Sequence, residues 1–395
     1  MGGGQPNDKI QSMPAPIRPT HLEINLSQLR RNLAAIRAYV HPAKVLVMLK
    51  ANAYGHGLMG VAPYIAPYVD YLGVAILEEA LQLREMGLQK PILIAGGSLP
   101  GQIPAYLDYD LTLTISSPLI LAAAEQAAQQ AGKRLKVHFK IDTGMERAGQ
   151  RWYEAEALLE QSLSCSHLVI EGIYTHFANS ETIETPGMIL LPNYSYASQQ
   201  LERFHEVLRF YEKRSLPLPP LRHAANSAAI LNLPESHFDM VRPGIIFYGI
   251  YPDDEARRVI EIAPALTWKS QVVYSKITQA GSPASYGSLW ASDHAVYTVT
   301  IPCGYADGYF RRMSNQPKII VNGKKYPQVG QICMDQVIVN LEAETAEVGD
   351  EVILLGQAAS GEAIQPQDLA AWAGTGRYEV LTNISARVPR VFVEK

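Results

Sequence analysis

The chain has 395 residues, 47% hydrophobic and 18% charged, which gives enough apolar mass for two sizeable cores and too little charge for a disordered chain. With 34 Lys+Arg against 38 Asp+Glu the net charge is −4 and no basic run stands out, so nucleic acid is not an expected partner. Cys165, Cys303 and Cys333 sit in no CxxC or His/Cys cluster, which supports neither a disulfide framework nor a metal site.

Residues 1–16 lack the basic and apolar regions of a signal peptide and read as a flexible tail. No apolar stretch reaches membrane-spanning length, so a cytoplasmic protein with no membrane partner is expected. A strand follows at 21–26. Ser27 then caps a helix whose apolar residues Leu26, Leu29, Leu33, Ile36 and Val40 recur three and four apart. Short apolar runs begin near Val45, Leu72, Ile92, Leu111, Val137, Leu168, Leu221 and Met240, and the clearest helices between them lie at 78–86, 118–131, 153–163 and 196–213. Such alternation implies parallel strands joined by crossovers. Eight units over about 230 residues fit an α/β fold of the (β/α)8 TIM-barrel type, with a doubly wound sheet as the alternative. Past residue 260 the pattern turns β-rich, at 266–277, 294–301, 318–321, 331–340 and 351–355, and Asn322-Gly323 signals a hairpin. The expected organisation is a tail at 1–16, a barrel at 17–258 and a mostly β domain at 259–395.

In a barrel, catalytic groups gather at the carboxyl ends of the strands. The first strand ends at Lys50, where desolvation would lower the amine's pKa and free it for imine formation; a snorkelling strand-end lysine is the plainer alternative. The fifth strand leads into Lys140-Ile141-Asp142-Thr143-Gly144-Met145-Glu146-Arg147, and the sixth ends Tyr174-Thr175-His176. The seventh gives His223-Ala224-Ala225-Asn226-Ser227, where Ser227 can cap the next helix, and the eighth gives Val241-Arg242-Pro243-Gly244. Barrels recurrently bind phosphate after strands seven and eight, which points to Ser227 and Gly244. A lysine, a phosphate cradle, two histidines and two arginines together describe a pocket for a phosphorylated aldehyde, and so for pyridoxal 5'-phosphate (PLP).

Seven motifs occur in the order of one family: Lys50-Ala51-Asn52-Ala53-Tyr54-Gly55-His56-Gly57, Asp142-Thr143-Gly144-Met145, His223-Ala224-Ala225-Asn226-Ser227, Val241-Arg242-Pro243-Gly244, Ser285-Tyr286-Gly287, Gly304-Tyr305-Ala306-Asp307-Gly308 and Ile332-Cys333-Met334-Asp335-Gln336. Through them residues 17–395 resemble alanine racemase, a barrel-type (fold type III) PLP enzyme. The resemblance implies that Lys50 is the Schiff-base lysine and one of two catalytic bases, with Tyr286 the other. Tyr54, Ser227, Gly244 and Ile245 would hold the phosphate, His176 would pack on the pyridine ring, and Arg242, supported by His223, would hydrogen-bond its nitrogen. Arg147 and the Met334 N–H would receive the substrate carboxylate. Lys140 matches a lysine carbamylated in many relatives, and Tyr305 one that narrows the access channel.

The activity so implied is two-base interconversion of L- and D-alanine for peptidoglycan synthesis, in a homodimer with shared active sites. One departure stands out. Where many relatives carry a tyrosine near the C-terminus, this chain has Ala386, within Ile384-Ser385-Ala386-Arg387-Val388-Pro389-Arg390. A broader amino-acid or serine racemase would share nearly every motif. Arg242 speaks against a barrel-type PLP decarboxylase, and the extra β domain speaks against a non-catalytic PLP carrier.

Overall fold

A computed structural model describes residues 17–181 and 196–395; the expected tail at 1–16 lies outside the described residues. The chain divides into two compact units. One comprises the described residues of Arg30–Ala53 and Ala62–Ile262; the other comprises those up to Leu29, Tyr54–Val61 and Ala263–Lys395.

Among the described residues the first unit contains eight parallel barrel strands, β1 (Lys44–Met48), β2 (Tyr71–Val74), β3 (Ile92–Ile94), β4 (Leu113–Ile115), β5 (Leu135–Asp142), β6 (Leu168–Tyr174), β7 (Leu221–His223) and β8 (Met240–Val241), with the short strand Gln150–Arg151 pairing parallel with the end of β5. The eight form two ladders, β8-β1-β2-β3 and β4-β5-β6-β7. Leu93 bridges to Thr112 across one seam, and the Asp239 N–H donates to Arg222 O at 3.1 Å across the other, closing a barrel. Strands covered on both faces read as continuous apolar runs, and Val45 to Leu49 does so. The interior is close-packed around a polar side chain: a Cβ on Gly172 of β6 would lie 2.7 Å from the His138 ring of β5.

The connecting helices start and stop on local signals. Pro118–Ala131 begins after Ser117, which accepts from the Ile120 N–H, and ends at Gly132 with φ +60°. The 153–163 expectation resolves into a 3₁₀ turn, Trp152–Glu154, followed by helix Ala155–Ser162. Ser27 lies inside its helix, Leu26–Val40, and is not the cap. Asn25 takes that role, its Oδ1 accepting from the Gln28 N–H at 3.0 Å.

The second unit is built on one large sheet containing β9 (Leu266–Gln271), β10 (Tyr274–Thr278), β11 (Val296–Ile301), β12 (Lys318–Val321), β13 (Lys324–Val329), β14 (Val337–Glu342) and β15 (Glu351–Gln357). Its order is β10-β11-β14-β13-β12-β15-β9, then His21–Asn25, then Arg390–Val393. His21–Asn25 runs antiparallel to β9 and parallel to Arg390–Val393, so the units do not follow from a single cut in the chain. Asn322 and Gly323, at φ +49° and +79°, turn β12 into β13 as a two-residue hairpin requires. The 266–277 run is two strands, and in 331–340 only Val337 onward is strand, which leaves Met334 on a loop. No helix among the described residues is long and apolar enough to cross a membrane.

Candidate active site

Lys50 leaves the barrel wall through an unusual backbone turn. Leu49 still donates its N–H to Gly73 O at 2.7 Å, but Ala51, Asn52, Ala53 and Tyr54 then take φ of 53°, 54°, 54° and 51°. A left-handed turn of non-glycine residues costs about 1–2 kcal/mol per residue and persists only where its surroundings over-determine it. Here the Ala53 N–H returns to Leu49 O at 2.8 Å, and the Ala51 N–H donates to Glu79 Oε1 at 2.6 Å. Burial, then the charges of Arg147 and Arg242, hold the Lys50 ammonium below its ordinary pKa, with Glu79 opposing them. An amine biased toward its neutral form is a better nucleophile and base.

Arg242 is fully buried with no carboxylate bonded to it among the described residues. Nη1 donates to His223 Nδ1 at 2.8 Å, and Nη2 donates to the carbonyls of Thr175 (2.8 Å) and Ala224 (2.9 Å). Burial pushes its pKa down to about 10. Because guanidinium only donates, His223 must accept at Nδ1 and carry its proton on Nε2, which faces His138 Nδ1 at 2.9 Å. His138 in turn carries its proton on Nε2, a buried atom with no hydrogen-bond partner among the described residues. Burial keeps both imidazoles neutral, with His138 held near about 3. The Tyr174 ring stacks on His223, centroids 4.6 Å apart and 9° from parallel. His176 Nδ1 lies 3.3 Å from Arg242 Nη2, and burial followed by the charges of Arg242, Arg147, Lys140 and Lys50 keeps it neutral too.

On β5, Lys140 shares the inward face with His138, two residues away, and burial followed by the Arg147 and Arg242 charges lowers its amine to about 8. Asp142 fixes the loop beyond: Oδ1 accepts from the N–H groups of Gly144 (2.9 Å) and Glu146 (3.1 Å), and Oδ2 from that of Arg147 (3.2 Å). The charges of Arg147 and Arg242 thus depress both lysines, and the carboxylates that oppose them are Glu79 at Lys50 and Asp142 at Lys140. The imbalance favours an anionic ligand.

Ser227 is not a helix cap. Asn226 caps that helix, its side chain accepting from the Ala229 N–H at 3.0 Å, while Ser227 Oγ accepts from the Gly244 N–H at 2.9 Å. Ser227, Gly244 and Ile245 are therefore neighbours, joined across the ends of β7 and β8. The donor set fits a phosphorylated pyridine: a hydroxyl and backbone amides at one end, and a buried, uncompensated arginine at the other.

The remaining expected residues belong to the second unit. Tyr54 is buried with its ring 6.2 Å from that of Tyr378, and burial raises the phenol pKa. Ser285, at φ +64°, places Tyr286 at the start of a 3₁₀ turn and donates Oγ to Gln331 O at 2.5 Å. Tyr305 and Ala306 donate their N–H groups to Cys333 O and Met334 O, both at 3.0 Å. That approach requires glycine at 304, where a Cβ would lie 2.3 Å from Cys333 O. Tyr286, Tyr305 and Met334 are so gathered by one set of loops, and Asp335 pairs with Arg387 at 2.7 Å. Glu79 and His138 have no role in the sequence reading, and Ser285 enters it only as part of the Tyr286 motif. His138 was findable, as a polar residue on the inward face of β5 in step with Lys140.

The family model for the alanine racemase N-terminal domain matches residues 24–252, and that for the C-terminal domain matches residues 265–392. The chain belongs to the alanine racemase family. The alanine racemase of Carboxydothermus hydrogenoformans is 41% identical over 380 residues, covering 95% of this chain and 100% of that one. That of Chlorobaculum tepidum is 40% identical over 376 residues, covering 94% of each. Among solved structures, an alanine racemase of Clostridium difficile 630 superposes with a TM-score of 0.88 at 33% identity, covering 96% of this chain and 97% of that one. A histidine racemase from Leuconostoc mesenteroides gives 0.85 at 29% identity, covering 96% and 99%. Membership of the alanine racemase family thus extends through both units and makes the protein an isomerase.

Proposed function

We propose that the protein interconverts L- and D-alanine with PLP as cofactor, supplying D-alanine for cell-wall peptidoglycan from the cytoplasm. The observation that carries this reading is Arg242: a buried guanidinium bonded to a neutral histidine and two carbonyls, with no carboxylate among the described residues, has N–H donors left for a ligand acceptor, and a pyridine nitrogen is one. When bound, the cofactor supplies a conjugated ring that acidifies the substrate's Cα hydrogen.

This chain's residues do the rest. Lys50 would anchor the cofactor, and its Nζ would hold or accept the Cα proton on one face. Tyr286 Oη does the same on the other, so a proton taken by one base is replaced by the other and the configuration inverts in either direction. Arg242 would donate to the ring nitrogen and, charged at neutral pH, would keep it from gaining a proton. Ser227, Gly244, Ile245 and Tyr54 hold the phosphate, and His176 and His223 keep the ring and Arg242 in place. Arg147 and the Met334 N–H bind the carboxylate, and Tyr305 narrows access.

Lys140, with an amine lowered to about 8, has the neutral population that carbamylation requires. In the proposed homodimer Tyr286 serves the partner's barrel. The test is direct: purified protein with PLP and L-alanine should lose optical rotation to the racemic limit. The likeness to a histidine racemase supports a second reading, a broader amino-acid racemase, and equal kcat/KM on serine or histidine would favour it.

A further inference from the structure

We propose that Glu79 is a positioning residue for Lys50, its carboxylate tying the turn that carries Lys50 at the end of β1 to the loop at the end of β2. Its significance for catalysis rests on the reading of Lys50 given above. Oε1 accepts from the Ala51 N–H at 2.6 Å, and Oε2 accepts from the N–H groups of Ala75 at 2.9 Å and Ile76 at 3.4 Å. A carboxylate is acceptor-only, and here both oxygens are used on backbone donors from two different strand ends.

The need for such a tie follows from the backbone. Ala51 opens a left-handed turn, where its N–H has no acceptor within the turn; the next returning bond is that of Ala53 to Leu49 O. Without an outside acceptor at Ala51, the turn loses one of the contacts that hold it against its local strain. Relaxation there would swing the first bond of the Lys50 side chain. Glu79 itself is well placed to resist. It sits in the first turn of helix Leu77–Glu85, so its backbone is fixed. A helix-capping role accounts for the Ile76 contact and not for the Ala51 contact, which reaches a separate strand end.

The test compares Glu79→Ala and Glu79→Gln with Glu78→Ala, an exposed neighbour in the same helical turn with no hydrogen bond to either loop among the described residues. Two quantities are read in the PLP-loaded protein: hydrogen exchange at the Ala51 amide, and kcat and KM for alanine. Glu79→Ala should speed Ala51 exchange and lower kcat, each by roughly ten- to a hundredfold, with KM changed less. Glu79→Gln keeps one acceptor oxygen and should fall between; if the alanine variant does not fold, it carries the comparison alone. Glu78→Ala should leave both quantities as they were. Unchanged Ala51 exchange in the Glu79 variants, or faster exchange with kcat intact, would overturn the proposal. A Lys50→Ala protein that still racemises would overturn the assignment of Lys50 instead, and the exchange measurement would report the Glu79 tie separately.

Discussion

At the barrel's strand ends His138, His223 and Arg242 are buried and bonded to one another, whereas Tyr286, Tyr305 and Met334 of the β unit stand 69%, 40% and 52% exposed on loops. The two regions place functional groups by different physics. In the barrel, strand alternation sets direction and burial sets protonation: Lys140 and His138 point inward together, and desolvation is the leading cause of every shift among Lys50, Lys140, His176, His223 and Arg242. In the β unit, backbone conformation places the group. Ser285, Gly287 and Ser288 all hold positive φ around Tyr286, and Gly304 admits the close approach that pairs Tyr305 with the Met334 loop. A barrel site is therefore sensitive to lost partners and lost charge, and a loop site to lost geometry.

The largest expected effect breaks both regions at once. Lys50→Ala and Tyr286→Phe should each lower racemisation by on the order of a thousandfold or more, since each removes one of two bases. If the β unit serves a partner's barrel, co-refolding the two variants makes mixed dimers with one site carrying both defects and one carrying neither. Random pairing then restores roughly a quarter of wild-type activity. No recovery, with mixed dimers confirmed by mass, sinks the shared-site model.

Next in size is Arg242→Glu. A carboxyl there lets the pyridine nitrogen gain a proton, so racemisation should fall by about a hundredfold while the bound cofactor gains a long-wavelength absorption band. Full activity with an unchanged spectrum would place Arg242 elsewhere than at the ring nitrogen. No such spectral change should accompany loop variants of the β unit that merely misplace Tyr286.

The same contrast explains what could be read from the sequence. Barrel strands such as β1, β2 and β3 announce themselves as apolar runs, because parallel strands covered on both faces need little polar side, while β5 and β7 carry His138, Lys140, Arg222 and His223 within the strand. Their end residues could be listed for the same reason. Strand β13 was not foreseen: Lys324-Lys325-Tyr326-Pro327 is polar, and its partners are set by the hairpin and by β14 far along the chain. Ser27 and Ser227 both read as caps from the sequence and are not, since a serine one or two residues after an asparagine leaves the cap ambiguous until the backbone shows which precedes the first turn. Glu79 acts through backbone N–H groups of other segments, and a single sequence carries no sign of that.

A smaller, pH-dependent effect sharpens the barrel side. Lys140 has a folded-state pKa of about 8 against an ordinary 10.5, so the unfolded chain binds its proton more tightly between those values. The ammonium therefore destabilises the fold most below pH 8, and this cost fades as pH rises through 10.5. In carbon-dioxide-depleted buffer, Lys140→Met should be more stable than wild type by up to about 3 kcal/mol at pH 7, with the difference vanishing near the upper pKa. Denaturant melts across that range measure it. A carbamylated Lys140 carries no ammonium and shows no such window.

The smallest expected effect concerns Ala386, where the family resemblance implies a tyrosine. The backbone on either side is fixed: the Ser385 N–H donates to Asp307 O at 3.0 Å, and Arg390 Nη1 donates to the carbonyls of Ser385 (2.6 Å) and Val388 (2.7 Å). Ala386 itself is exposed, so a larger side chain overpacks nothing, and Ala386→Tyr should change stability by no more than about 0.5 kcal/mol. A phenol hung from so rigid a turn loses little freedom on meeting a phosphate, and one new hydrogen bond to a charged group is worth enough to slow cofactor release about tenfold. Dialysis of the PLP-loaded variant against an aldehyde trap, followed by its absorbance, gives the off-rate. An off-rate equal to wild type would mean that Ser227, Gly244, Ile245 and Tyr54 already hold the phosphate fully, and that position 386 bears on substrate access alone.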